Sequence, residues 1–287
     1  MNAPDGTRLY LRRRDDPATP LTAILCDGIA CDGFIWRHLV DDLAGTAGIV
    51  HWNYRGHGRS AAPADPDRID IDAFATDLEA VRATVRAPQL LVGHSFGCQL
   101  VLESYRRDPS SIAGLVLICG SPGHITHTFK GTGALAQALP GLIERVRKTP
   151  RIARALWSNV PPEISARIAI ALGEVDGVVE PNDLILYSEH VAAMDLEMFL
   201  RMLYAVGEHT AIDMLPSIAV PTLVLAGELD TFTPTHLAEE MAAAIPESEL
   251  VVFSGATHVA PIERRDEVRE RVATFVRERV APNIAVR

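Results

Sequence analysis

The sequence predicts an α/β fold: a mostly parallel sheet flanked on both faces by helices and interrupted once by a helical insertion. Three observations predict it. Short apolar runs recur along the chain, stretches with helical spacing separate them, and between about residues 122 and 217 only helical pieces occur.

The runs TRLYLRR (7–13), LTAILC (21–26), GIVHWNY (48–54), QLLVG (89–93), AGLVLICG (113–120), PTLVLAG (221–227) and ELVVFSG (249–255) are rich in Val, Leu and Ile and bounded by Gly, Pro or Asp. Runs of this kind read as strands buried on both faces. Between them lie FIWRHLVDDLA, IDAFATDLEAVRATV, residues 96–107, HLAEEMAAAI and a last helix over about 263–280. Strand and helix in alternation imply parallel pairing, because each helix returns the chain to the end of the sheet where the next strand must start. The interval 122–217 carries GALAQALPGLIERVRK, RIARALW, PPEISARIAIAL, NDLILYSEHVAAM and LEMFLRMLYAV, cut by Pro150, Pro161, Pro162 and Pro181. A structureless loop of that length is rare in a compact domain, so the interval is read as a helical cap seated on the strand ends. Residues 1–121 and 218–287 then form the core domain and 122–217 the cap.

Composition narrows the function. The chain has 287 residues, 48% of them hydrophobic and 22% charged, as a soluble globular protein does. A net charge of -10 argues against nucleic acid as a partner, since phosphates are bound by clustered Lys and Arg. The basic run Arg12, Arg13, Arg14 is followed at once by Asp15 and Asp16 and reads as a solvated strand end. No apolar stretch has the length of a membrane span, and MNAPDGTRLYLRRRDD lacks the apolar core of a signal peptide, so a cytoplasmic location is expected. Cys26, Cys31, Cys98 and Cys119 lie in or beside apolar segments without zinc-finger spacing and are expected as buried thiols. His124 and His127 are three apart but have no further ligand cluster in the sequence, so no metal is expected; the absence of phosphate-binding and dinucleotide fingerprints leaves no cofactor implied. The expected partner is a small-molecule substrate, and the choice between monomer and homodimer stays open.

Chemistry enters at GHSFG, residues 93–97, which fits G-x-S-x-G. An apolar strand precedes it and helical spacing follows, which places Ser95 on a sharp strand-to-helix turn. The start of that helix aims unspent N–H groups and a partial positive charge at an oxyanion forming there. A serine hydroxyl needs a base to take its proton and a third group to orient that base. Downstream, GELDTFTP puts Glu228 and Asp230 after one apolar run, and GATHVAP puts His258 after the next. Each alone is ordinary: a loop Asp commonly caps a turn, and a lone His commonly packs. Together they complete a Ser, Asp, His order with every member at a strand's C-terminal end, where α/β sheets bind ligands.

In GHSFG, RGHGRS, GELDTFTP, GATHVAP and DGIACDGFIW, taken in this order-preserving set, the chain resembles the α/β-hydrolase superfamily over essentially its whole length. The resemblance implies an eight-stranded, mostly parallel sheet with a cap after the sixth strand. It implies Ser95 as nucleophile, His258 as general base and Asp230 as its orienting acid, with Glu228 the competitor for that last role. It implies the backbone N–H groups of Ile29 and Phe96 as the oxyanion hole. His57 and His94 stand in motifs whose histidine is not catalytic in the family. Three departures stand out: Asp27 where His is usual, Asn53 where Asp is usual, and a first strand that is short or missing. Phe34 and Trp36 are expected near the substrate or packed beneath it. The implied activity is a carboxylic ester hydrolase for a small to medium, largely uncharged acyl substrate. Serine excludes the branches with an Asp nucleophile; lactonases, thioesterases, carbon–carbon bond hydrolases and cofactor-free haloperoxidases share the same triad, and a ligand receptor without turnover can keep it.

Overall fold

A computed structural model of the chain describes residues 1–43, 45–159, 161, 163–164, 179 and 181–286. Seven strands form one sheet: β1 (Leu11–Arg14), β2 (Thr22–Cys26), β3 (Gly48–Trp52), β4 (Gln89–His94), β5 (Ile112–Ile118), β6 (Thr222–Gly227) and β7 (Ser248–Phe253), in the order β1-β3-β2-β4-β5-β6-β7. All neighbours are parallel except β1, which runs antiparallel along β3. Parallel pairing sends the C-terminal ends of β2, β4, β6 and β7 to one edge, and the candidate site lies there.

Side chains alternate between two cores, as a period of two requires. On β2, Ile24 and Cys26 enter one core with Phe74, Leu78, Phe96 and Met241, whereas Ala23 and Leu25 enter the other with Trp36, Phe253, Val272 and Phe275. Burial on both faces is the physical reason the strands read as unbroken apolar runs. The first core is roofed by α1 (Ile71–Arg82) and α2 (Phe96–Arg107). Between β5 and β6 come α3 (Ala134–Lys148), α4 (Pro150–Ser158), α5 (Pro181–Ala193) and α6 (Leu196–Glu208), followed later by α7 (Thr235–Ala244) and α8 (Arg265–Phe275).

Helices start where the sequence supplies a cap. Asp70 accepts the Ala73 amide at 2.7 Å ahead of α1, and Asp195 accepts that of Met198 at 2.9 Å ahead of α6. The segment between β5 and β6 is zipped at its ends, with His124 N–H on the His209 carbonyl at 3.0 Å and Ala211 N–H on that of Pro122 at 2.7 Å. Its α6 buries Met198, Met202 and Val206 in the first core, while α3 packs on α6 through Leu139, Val146 and Leu200. The expected helix PPEISARIAIAL falls almost wholly outside the described residues.

Seven strands are described, close to the expected eight with a first strand short or missing, and the helical segment follows the fifth of those described. Met1 and Ala3 turn back on Leu9 and Thr7 about the Asp5-Gly6 turn, leaving an isolated bridge, Asn2 to Arg8, in place of a further strand. FIWRHLVDDLA likewise forms only short turns, Phe34–Trp36 and Leu39–Asp42. No helix among the described residues is long and apolar enough to cross a membrane.

The loop after β3 is locked to α1 by a buried pair. Arg55 donates to both carboxylate oxygens of Asp77, at 2.8 and 2.7 Å, and adds Asp5 at 2.9 Å. Burial raises the Asp77 pKa against the lowering effect of Arg55, a sign that the carboxylate depends on its partner. Asp77→Ala leaves the Arg55 guanidinium buried and half unpaired, and should cost about 3 kcal/mol in urea unfolding; a loss below about 0.5 kcal/mol, typical of a surface site, would contradict this assignment.

Candidate active site

Ser95 lies between the end of β4 and the first turn of α2, at φ 53° and ψ -118°. That region is costly for a residue with a Cβ and persists only where the surroundings enforce it. Two close approaches enforce it here. A Cβ at Gly93 would lie 2.5 Å from the Gly97 carbonyl oxygen, and one at Gly97 would lie 2.1 Å from that of Cys26. Missing side chains therefore let α2 press against both β4 and the end of β2. The same contact brings the loop after β2 to the serine: the Cβ position of Gly28 is 3.3 Å from the Ser95 Cβ.

The three residues separated in sequence come together. His258 Nε2 lies 2.9 Å from Ser95 Oγ, and its Nδ1 lies 2.8 Å from Asp230 Oδ2. Asp230 also accepts from the amides of Phe232 and Thr233, both at 2.8 Å, and from the Thr233 hydroxyl at 2.6 Å. Burial pushes the Asp230 pKa up, but the His258 charge and these hydrogen bonds outweigh it and hold the carboxyl below its usual range. An ionised Asp230 accepts the Nδ1 proton, so the Nε2 lone pair faces the serine hydroxyl.

Neighbouring groups hold the imidazole. His94 Nε2 lies 2.9 Å from the His258 carbonyl, which can only accept, so this nitrogen carries the proton. Burial, helped by the charge of His258, pushes the His94 pKa down to about 3 and keeps it neutral. Glu263 accepts from the amide and hydroxyl of Thr257 at 2.6 and 2.7 Å, bracing the residue before His258. Glu228 stands elsewhere: exposed, it accepts from the Ser254 hydroxyl and Gly255 amide, both at 2.8 Å.

The two amides expected to serve an oxyanion belong to Phe96, the residue after Ser95, and to Ile29, the residue after Gly28, whose Cβ position is 3.3 Å from the Ser95 Cβ. Phe96 is the first residue of α2, where amides have no intrahelical partner. Among the described residues, neither its N–H nor that of Ile29 is spent on a backbone acceptor. Asp27, in the place where His is usual, is buried and lies 2.8 Å from His51 Nε2, while the Tyr54 hydroxyl donates to its backbone carbonyl at 2.7 Å. Asn53 shapes the following turn by accepting the Arg59 amide at 3.1 Å.

Aromatic rings lie on His258 and on the loop after β2. Phe232 packs on His258 with centroids 5.0 Å apart, and Phe129 packs on Phe232 at 4.9 Å. Half-buried Phe34 stacks on Tyr187 of α5 at 5.9 Å. Trp36 does not share that position. It is 1% exposed, belongs to the second core and meets the His94 ring edge-on from below, so it is withdrawn as a substrate contact. No three His, Cys, Asp or Glu side chains gather as a metal requires among the described residues, and His124 spends Nδ1 on the Gly207 carbonyl. The four cysteines are free and buried.

Sequence reasoning passed over Thr233, Phe232 and Glu263. A signal for the first was present, since a Thr three residues after an Asp in a loop commonly closes on its carboxylate. Nothing in the spacing marks the others.

A model of the alpha/beta hydrolase family matches residues 25–271. The putative carbamate hydrolase RutD of Rhizobium rhizogenes is 24% identical over 265 residues, 90% of this chain and 93% of its own. The polyketide synthase ThaQ of Burkholderia thailandensis is 26% identical over 259 residues, 89% of this chain but only 12% of its own length. Among solved structures, an esterase from Exiguobacterium antarcticum superposes with a TM-score of 0.78 at 20% identity, covering 97% of this chain and 98% of its own, which shows a shared fold.

The elbow gives a sharp test of the geometry. Gly97→Ala must move α2 away from Cys26 and should cost roughly 1–3 kcal/mol in thermal unfolding, whereas Gly141→Ala in α3, with nothing within 4 Å, should stabilise the chain by up to about 1 kcal/mol. Equal effects at the two positions would contradict the close approach.

Proposed function

The chain belongs to the alpha/beta hydrolase family, and from that premise we propose that it is a serine hydrolase that cleaves a carboxylic ester of a small to medium, largely uncharged acyl substrate. One observation carries the reading: the continuous hydrogen-bonded chain from Ser95 through His258 to an ionised Asp230.

In the proposed mechanism His258 Nε2 takes the Ser95 hydroxyl proton as Oγ attacks the ester carbonyl. Negative charge on the carbonyl oxygen is received by the N–H groups of Ile29 and Phe96, fixed donors that need no reorganisation as the charge develops. The tetrahedral intermediate collapses, His258 hands its proton to the departing alcohol oxygen, and an ester of Ser95 remains. Water then loses a proton to His258 and attacks that ester, and the second collapse returns the proton to Ser95 and releases the acid. Asp230 stays ionised throughout, holding the imidazole in one tautomer and stabilising its cation.

Uncharged rings at Phe232, Phe129, Phe34 and Tyr187 support an uncharged substrate, since a carboxylate among them would be desolvated without a partner. Residues 122–217 act in this reading as a cap over a core of 1–121 and 218–287, with α5 meeting the loop after β2 through Tyr187 and His190 and α6 packed into the first core.

Hydrolysis of a panel of esters, lactones and thioesters differing in acyl length tests activity and subclass together: esters of short to medium neutral acids should turn over repeatedly, and Ser95→Ala should abolish it. Tight binding with almost no turnover would favour a receptor instead. Asp230→Asn should lower kcat on the order of 10⁴-fold by offering His258 the wrong tautomer. Glu228→Gln should change kcat by less than about threefold, because that side chain braces an exposed turn; the reverse ordering would exchange the two roles.

A further inference from the structure

The loop that carries the Ile29 amide is held at both ends by an acid and an imidazole. At its start the Asp27 side chain, 1% exposed, lies 2.8 Å from His51 Nε2; near its end Asp32 lies 2.7 Å from His190 Nε2 on α5. His51 belongs to β3 and is fixed by the sheet. Its ring also fills the space beside Gly33, where a Cβ would come 2.6 Å from His51 Cε1. One sheet-borne imidazole therefore grips the loop at Asp27 and again at Gly33. The other grip comes from outside the sheet. Tyr187 and His190 are three apart, so they project from one side of α5, the first onto Phe34 and the second onto Asp32.

The electrostatics give this arrangement a chemical purpose. Asp27 is two residues before Ile29, and a bare carboxylate there would oppose negative charge arriving at the Ile29 amide. Burial lowers the His51 pKa, but the Asp27 charge and hydrogen bond, reinforced by Asp32 and opposed by Arg12 on β1, raise it overall. The imidazolium thus persists above the ordinary value of 6.5 and cancels the Asp27 charge.

We propose that His51 and His190 are positioning residues for the Ile29 amide: His51 anchors the loop to the sheet and neutralises Asp27, while His190 ties the same loop to α5, coupling oxyanion stabilisation to the docking of that helix. The inference rests on the serine-hydrolase reading, in which Ile29 N–H meets the oxyanion. The pH dependence follows in sign. The His51 contribution is complete below 6.5 and is lost as pH rises through its raised folded value, so kcat should fall on the alkaline side.

The test compares wild type, His190→Ala, His190→Gln and His51→Gln in ester turnover across pH, with fluorophosphonate labelling of Ser95 alongside. His190→Ala should lower kcat on the order of tenfold with KM changed less than about twofold, the pattern of a misplaced transition-state donor. His190→Gln, which keeps an N–H for Asp32, should recover most of the loss. His51→Gln should lower kcat and remove the alkaline fall; if it does not fold, the His190 pair still decides. Wild-type kcat in His190→Ala, or a loss confined to KM, overturns the positioning role while leaving the hydrolase reading intact. A wild-type protein that neither labels at Ser95 nor hydrolyses esters overturns both.

Discussion

The contact of Gly97 with the end of β2 is the constraint from which the site is built. Because no Cβ intervenes, α2 begins against the Cys26 carbonyl, and the chain between β4 and α2 has room only for the turn that leaves Ser95 at φ 53°. The consequence is threefold. Ser95 stands up at the sheet edge where β6 and β7 deliver Asp230 and His258; Phe96 opens α2 beside it; and the loop after β2 is drawn in until the Cβ position of Gly28 is 3.3 Å from that of Ser95. A side chain at residue 97 would separate these groups together, not one at a time.

Much of this was legible in the sequence because strands covered on both faces leave an unbroken apolar signature, and β2, β4, β5 and β6 fall within a residue or two of their expected runs, as does the half-buried edge strand β7. The order of Ser95, Asp230 and His258 was legible for a related reason: each follows such a run directly. What stayed hidden depends on contacts between distant segments. Trp36 and Phe34 are two residues apart on one short turn, yet one points into the lower core and the other toward α5. His51 was unremarkable on β3 until the fold set Asp27 beside it.

Buried carboxylates near the serine follow one pattern. Asp230 is held ionised by His258, Phe232 and Thr233, and Asp27 is met by His51. An isolated buried carboxylate is costly and would also repel the oxyanion of an acyl transfer. Pairing each with an imidazole removes the repulsion while keeping the hydrogen bonds that fix geometry. The departure at Asp27 is thus accompanied by a histidine on the neighbouring strand, and the proposed donor at Ile29 is a backbone group, which that exchange leaves in place.

The central claim is that Ser95 forms a covalent ester during turnover. Intact mass of the protein quenched while hydrolysing a slow ester, followed by peptide mapping, tests it most directly. The account predicts a mass increase of one acyl group on the peptide containing Ser95, which disappears as substrate is exhausted. Steady hydrolysis with an unmodified chain, or an acyl group on another residue, would contradict it.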